Sequence, residues 1–108
     1  MSQTATLDSL ENEIVSIRDQ IIFHYAPKKI ILFGSQAKGT ASPNSDIDLC
    51  VIADTNNKRN LLTDMYLNIE SHKPFDLLVY TQEEWEQCVN DASSFAYQLN
   101  LKGIVLYG

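Results

Sequence analysis

The run Asp46-Ile47-Asp48-Leu49-Cys50-Val51-Ile52 constrains this chain more than any other segment. It is apolar and rich in branched residues, so it predicts a strand over residues 46–53, yet it opens on two aspartates. Strand side chains alternate, which sends Asp46 and Asp48 to one face and Ile47, Leu49 and Val51 to the other. Two like charges side by side on a strand repel and cost stability. A sequence shaped by folding alone would avoid the pair. An exposed strand face or a turn entry is the bland account of two acids there. The sharper account is a divalent cation: hard Mg²⁺ takes carboxylate oxygens and completes its shell with waters and phosphates.

A second strand of the same kind follows Pro74. Phe75-Asp76-Leu77-Leu78-Val79 sets one more carboxylate into a hydrophobic strand, predicted over 75–80. If the two strands are neighbours, Asp76 completes a three-carboxylate cluster. Three carboxylates can hold two Mg²⁺ ions. Two metals about 3.5–4 Å apart serve an in-line displacement at phosphorus. An exposed acid at a strand start is the competing account of Asp76.

Phosphates need a cradle of their own. Ile30-Ile31-Leu32-Phe33 closes a short buried strand, predicted over 29–33, and Gly34-Ser35 follows it. Glycine lets the backbone approach a ligand without a Cβ in the way. Ser35 offers a hydroxyl and a backbone N–H, and it is expected to cap a short helical turn, where the dipole favours anions. Lys38 and Gly39 come within one turn, although a lysine there is more often solvated than a ligand. Residues 40–45 contain Pro43 and Asn44 and read as a turn-forming loop.

The remaining chain supplies a scaffold. Leu7, Leu10, Ile14, Ile17 and Ile21 recur at helical spacing and predict an amphipathic helix over residues 5–24, stopped by Pro27. Leu61, Leu62, Met65 and Ile69 mark a helix over 59–71. Thr81 with Glu84 forms a capping box for a helix whose inner face is Trp85, Cys88 and Val89. A last helix over 93–101 is expected to end at Gly103 as its C′ residue, before a short strand over 104–107. The order is αβ(α)βαβααβ, an α/β chain with a small sheet. The pattern leaves the strand directions open.

Composition sets outer limits. The 108 residues suit one domain, 1–108, with a modest core. No apolar run approaches the roughly 20 residues that span a bilayer, and no signal peptide is evident, so a cytoplasmic location is expected. The net charge of −6 makes nucleic acid a poor partner. Cys50 shares strand parity with the acids, but Mg²⁺ does not favour thiols, so a core role is expected. His24 and His72 lack the partners a zinc site needs.

Leu32-Phe33-Gly34-Ser35, ten intervening residues and then Asp46-Ile47-Asp48 resembles the signature of the DNA polymerase β-like nucleotidyltransferase superfamily. Gly34-Ser35-Gln36-Ala37-Lys38-Gly39, with Ser45 before Asp46, is similar to its minimal nucleotidyltransferase branch. The likeness extends to the leading helix, to Asp76 as third acid and to the closing Gly103-Ile104-Val105-Leu106-Tyr107.

The resemblance implies an α/β core of polymerase β palm type, with a small mixed sheet flanked by helices. It implies that Gly34 and Ser35 bind the β- and γ-phosphates, with Lys38 and Ser45 beside them. Asp46 and Asp48 would ligate both metals, and Asp76 would join them and help activate the attacking hydroxyl. The implied reaction moves a nucleoside monophosphate, AMP from ATP, onto an acceptor with release of pyrophosphate. Members of this branch act as antitoxins beside HEPN-domain ribonuclease toxins, and some adenylylate a toxin tyrosine. No further segment is evident to bind a small-molecule or nucleic acid acceptor, so a protein acceptor is expected. Two other accounts stay open: a non-catalytic antitoxin that neutralises by binding, and a small-molecule (antibiotic) nucleotidyltransferase.

Overall fold

The structure is a computed structural model that describes residues 5–39 and 46–108, with side chains from residue 11 onward. The predicted Ser45 and the loop over 40–45 lie outside the described residues, as do the side chains of Leu7 and Leu10. Helix α1 spans Ala5–Tyr25, strand β1 Lys29–Phe33, the short helix α2 Ser35–Lys38 and strand β2 Ile47–Ile52. Helix α3 spans Lys58–Asn68, β3 Phe75–Tyr80, α4 Gln82–Cys88, α5 Phe95–Lys102 and β4 Ile104–Tyr107.

The four strands form one sheet in the order β3-β2-β1-β4. Strand β2 pairs parallel to β3, while β1 runs antiparallel to both β2 and β4. This is the mixed sheet expected above, and the pattern alone had left its directions open. Alternation along β1 and β2 builds two apolar layers. Ile30, Leu32, Ile47, Leu49 and Val51 face Ile17 and Ile21 of α1 and Met65 of α3. Ile31, Cys50 and Ile52 face Trp85 of α4 and Ala96 and Leu99 of α5. The sheet is thereby covered by helices on both faces. No helix among the described residues is long and apolar enough to cross a membrane.

Polar ties fix the helices to one another. Gln20 on α1 donates from Nε2 to the Glu70 carbonyl and accepts from the Glu70 N–H, both at 2.8 Å. Tyr25 Oη donates to Asp64 Oδ2 of α3 at 2.6 Å. Tyr66 of α3 stacks on Phe75, and its hydroxyl accepts the Leu77 N–H at 2.7 Å. That bond satisfies a backbone group on the outer edge of β3, where no further strand pairs.

Several boundaries differ from the sequence reading for local reasons. Strand β2 starts at Ile47 and ends at Ile52, so Asp46 and Ala53 flank it. Helix α3 starts earlier because the Asn57 side chain accepts from the Asn60 N–H, and it stops at Asn68 as Ile69 turns extended. Helix α5 begins after Ser94, whose hydroxyl accepts from the Tyr97 N–H, while Ser93 is held by Asp91. Gly103 does end α5, but with φ −76° and ψ 166°, not in the left-handed region. Its glycine is needed for space, since a Cβ there would collide with Ile31 and with the Leu99 carbonyl. Ser35 does not cap α2; Gly34 holds that position, at φ 75°, with no side-chain cap.

The capping box of α4 is complete: Thr81 Oγ1 accepts from Glu84 N at 3.2 Å, and Glu84 Oε1 accepts from Thr81 N at 3.0 Å. Lys58 of α3 also reaches Glu84, at 3.0 Å. The Thr81 N–H, and after it Lys58, hold the Glu84 carboxyl below its ordinary range. A group depressed in the folded state contributes above its ordinary value, and the contribution fades as pH falls through the folded one. Glu84→Ala, which removes the carboxylate that the Thr81 N–H and Lys58 hold, is therefore expected to cost up to about 1 kcal/mol near neutral pH. In urea melts the difference from wild type should shrink below about pH 4, where the carboxylate is lost. An equal cost at pH 7 and pH 3 would contradict the assignment.

Candidate active site

Three chain segments converge at one end of the sheet: the exit of β1 and the starts of β2 and β3. In the parallel register Asp48 lies beside Asp76, and in the antiparallel register it lies beside Phe33. Residues in register on adjacent strands project to the same face. Phe33, Asp48 and Asp76 thus form one row, on the face that carries Cys50 and Ile52 deeper in. Apolar residues occupy the deeper part of that face, so the acids gather where it opens at the sheet end.

Each acid has a different setting. Asp48 is half-buried, and Asp76 and Asp46 are exposed. Burial first, then the charges of Asp76 and Asp46, raises the Asp48 carboxyl above its ordinary range. All three predicted acids therefore share one electrostatic site. They do not close into a ready shell, since no group of three His, Cys, Asp or Glu side chains among the described residues is set to hold a metal ion. Asp46 stands just outside the ladder: the neighbouring Ile47 N–H donates to the Pro74 carbonyl at 3.0 Å, and the strand begins only at Ile47.

Gly34 is built into this site. A Cβ at Gly34 would collide with the Asp48 carboxylate, and its φ of 75° lies where side chains are rarely tolerated. The chain thus leaves β1 with its backbone against the central acid. Ser35 follows half-buried, and its hydroxyl serves no helix cap. Lys38 is exposed at the far end of α2. Cys50 is fully buried, and burial pushes its thiol up to about 12, which suits a core residue.

The hard oxygen donors, their shared charge and the half-buried central member fit a divalent cation. Asp46 and Asp48 would hold it, with Asp76 in register beside Asp48. A cavity of about 360 Å³ opens at Gly34, lined also by Phe33, Lys38, Phe95, Gln98 and Lys102. The α5 residues of that wall went unnoticed in the sequence. No local spacing connects position 98 or 102 to position 34.

The chain belongs to the nucleotidyltransferase domain family, whose model matches residues 14–100. It is a nucleotidyltransferase of the class that transfers nucleotidyl groups. A crystal structure of a "putative nucleotidyltransferase" from Sulfolobus solfataricus is similar at TM-score 0.55 and 16% identity, covering 80% of this chain and 82% of that one. At that identity the likeness concerns the fold. No curated protein matches the chain significantly.

Two substitutions test the geometry. Asp48→Asn removes the repelling central charge, so in the presence of a chelator it should raise stability by up to about 1 kcal/mol. Divalent-ion binding should fall in the same variant. Gly34→Ala should destabilise by about 1–3 kcal/mol through the collision and the positive φ. Thermal melts with and without metal measure both; an Asp48→Asn protein less stable than wild type without metal would refute the account of a strained acid row.

Proposed function

We propose that the chain transfers AMP from ATP to a hydroxyl of a partner protein in a Mg²⁺-dependent reaction, and that it thereby acts as an antitoxin toward a HEPN-domain ribonuclease toxin. The reading rests above all on the in-register pair Asp48 and Asp76 set against the Gly34 backbone. Family membership supports nucleotidyl transfer. The minimal branch signature, Gly34-Ser35 to Asp46-Ile47-Asp48, supports the finer role.

In this reading the acceptor oxygen attacks the α-phosphorus, and a new P–O bond forms. The bond from that phosphorus to the bridging oxygen breaks, and pyrophosphate leaves with the electron pair. Asp76, the exposed acid, takes the acceptor's proton. Asp48 and Asp46 would hold the cation, which when bound would neutralise charge on the phosphates. Gly34 and Ser35 keep the triphosphate close to the acid row, with the Ser35 hydroxyl and backbone N–H as donors. A protein acceptor is consistent with the charge of −6, which opposes a polyanionic one.

The experiment is transfer of α-labelled ATP, with Mg²⁺, to the protein encoded beside this chain. Label should appear on a tyrosine of that partner and fall by about 10³-fold or more with Asp48→Asn. Label that persists unchanged in Asp48→Asn, or appears with none of the four nucleoside triphosphates, would refute transfer at this site. Neutralisation of the toxin by Asp48→Asn as strong as by wild type would show that binding alone suffices.

A further inference from the structure

The cavity at Gly34 has a composition that the acid row does not explain. Its walls are Phe33 at the end of β1, Phe95, Gln98 and Lys102 of α5, and Lys38 at the end of α2. Phe33 and Phe95 meet edge to face at 5.7 Å and form its apolar floor. The volume, about 360 Å³, is at the small end of ligand pockets.

The chain has 14 acids against 8 Lys and Arg, so an unpaired cation is unusual here. The ion pairs among the described residues are Arg18–Asp19, Lys28–Asp54 and Lys58–Glu84. Neither Lys38 nor Lys102 takes part in them. Two ammonium groups from separate helices thus border one cavity without an internal counter-ion among the described residues. Gly34 links the two features: it lies against the Asp48 carboxylate and also lines the cavity.

Lys102 is also held in place by its surroundings. Gly103 follows it at a point where a Cβ would meet Ile31 and the Leu99 carbonyl, so the end of α5 lies tight against β1. The Gly103 N–H returns to the Leu99 carbonyl at 2.8 Å. The stem of Lys102 therefore leaves a fixed backbone beside the cavity.

We propose that Lys102, together with Lys38, binds the terminal phosphates of the nucleotide in this cavity. The inference rests on the nucleotidyl-transfer reading above, because that reaction fixes where the α-phosphate must lie. The α-phosphorus belongs at the acid row. The part of the ligand that passes Gly34 toward two lysines is then the anionic tail, not the nucleoside. During transfer the bond to the α-phosphorus breaks and charge grows on the departing pyrophosphate. An ammonium beside it favours that charge more than the starting triphosphate. The bland alternative is that Lys102 only offsets the carbonyl end of α5, which touches stability and not affinity.

The test is calorimetric binding of Mg·ATP, Mg·tripolyphosphate and AMP to the full chain and to Lys102→Gln. Lys28→Gln, at the opposite end of β1, controls for the lost charge. Lys102→Gln should weaken ATP and tripolyphosphate alike, by about tenfold, the value of one charge-assisted hydrogen bond. AMP binding and the melting temperature should hardly move, and Lys28→Gln should resemble wild type. Unchanged ATP affinity in Lys102→Gln, or an equal loss for AMP, overturns the proposal; the second result would put the nucleoside in the cavity. If wild type binds tripolyphosphate through Lys102 but not ATP, the anion site stands and the transfer reading falls. If it binds none of the three, both fall.

Discussion

The parallel pairing of β2 with β3 is the constraint on which the rest depends, because it places Asp48 beside Asp76 in a sheet that would be more stable without them. The cost is modest. A like-charge cross-strand pair is worth roughly 0.2–1 kcal/mol against the fold. The opposite side of the same strand holds Ile47, Leu49 and Val51, each with no exposed surface. Burying one such side chain contributes about 1.5–3 kcal/mol. One strand can therefore anchor the core with its odd-numbered positions and carry the acid row with its even-numbered ones. Period-two geometry keeps the two tasks apart.

That division explains why the acids were legible from the sequence. Asp46, Asp48 and Asp76 are charges within apolar runs, and alternation alone sends 46 and 48 to one face. The convergence of Asp76 with them was expected only on the condition that the two strands are neighbours, and through the family resemblance. It needs β3 to lie parallel to β2 in a register that matches position 76 to position 48, and no local pattern encodes that pairing. The same limit applies to the cavity: Gln98 and Lys102 reach it only because α5 packs on the Ile31 face of the sheet. Elements set by short-range bonds, such as the Thr81–Glu84 box and the Pro27 stop, could be read directly.

The misreadings have a common physical origin. Ser35 looked like a cap because serine before a short helix commonly is one, yet the helix starts on it and Gly34 takes the capping position. Gly103 ends the last helix as expected, but at a φ of −76°, outside the left-handed region common at helix ends. At both glycines the deciding factor is close approach: Asp48 crowds the first, Ile31 and the Leu99 carbonyl the second. Intrinsic preference describes what a residue tolerates alone. Here the space left by distant segments decided the residue, and only the folded chain contains that information.

The two glycines also link chemistry to architecture. Both sit where β1 meets another element, Gly34 at its exit into α2 and Gly103 against Ile31 from α5. Strand β1 is central, antiparallel to β2 on one side and β4 on the other. Its Phe33 faces Asp48 across one ladder and Phe95 across the helix layer. A chain with net charge −6 repels anions at long range, so any anion it holds needs local compensation. Carboxylates able to take a cation, and lysines without an ion-pair partner among the described residues, are two forms of that compensation. Gly34, a residue without a side chain, borders both the central acid and the cavity that the lysines line, so its backbone leaves both sites open.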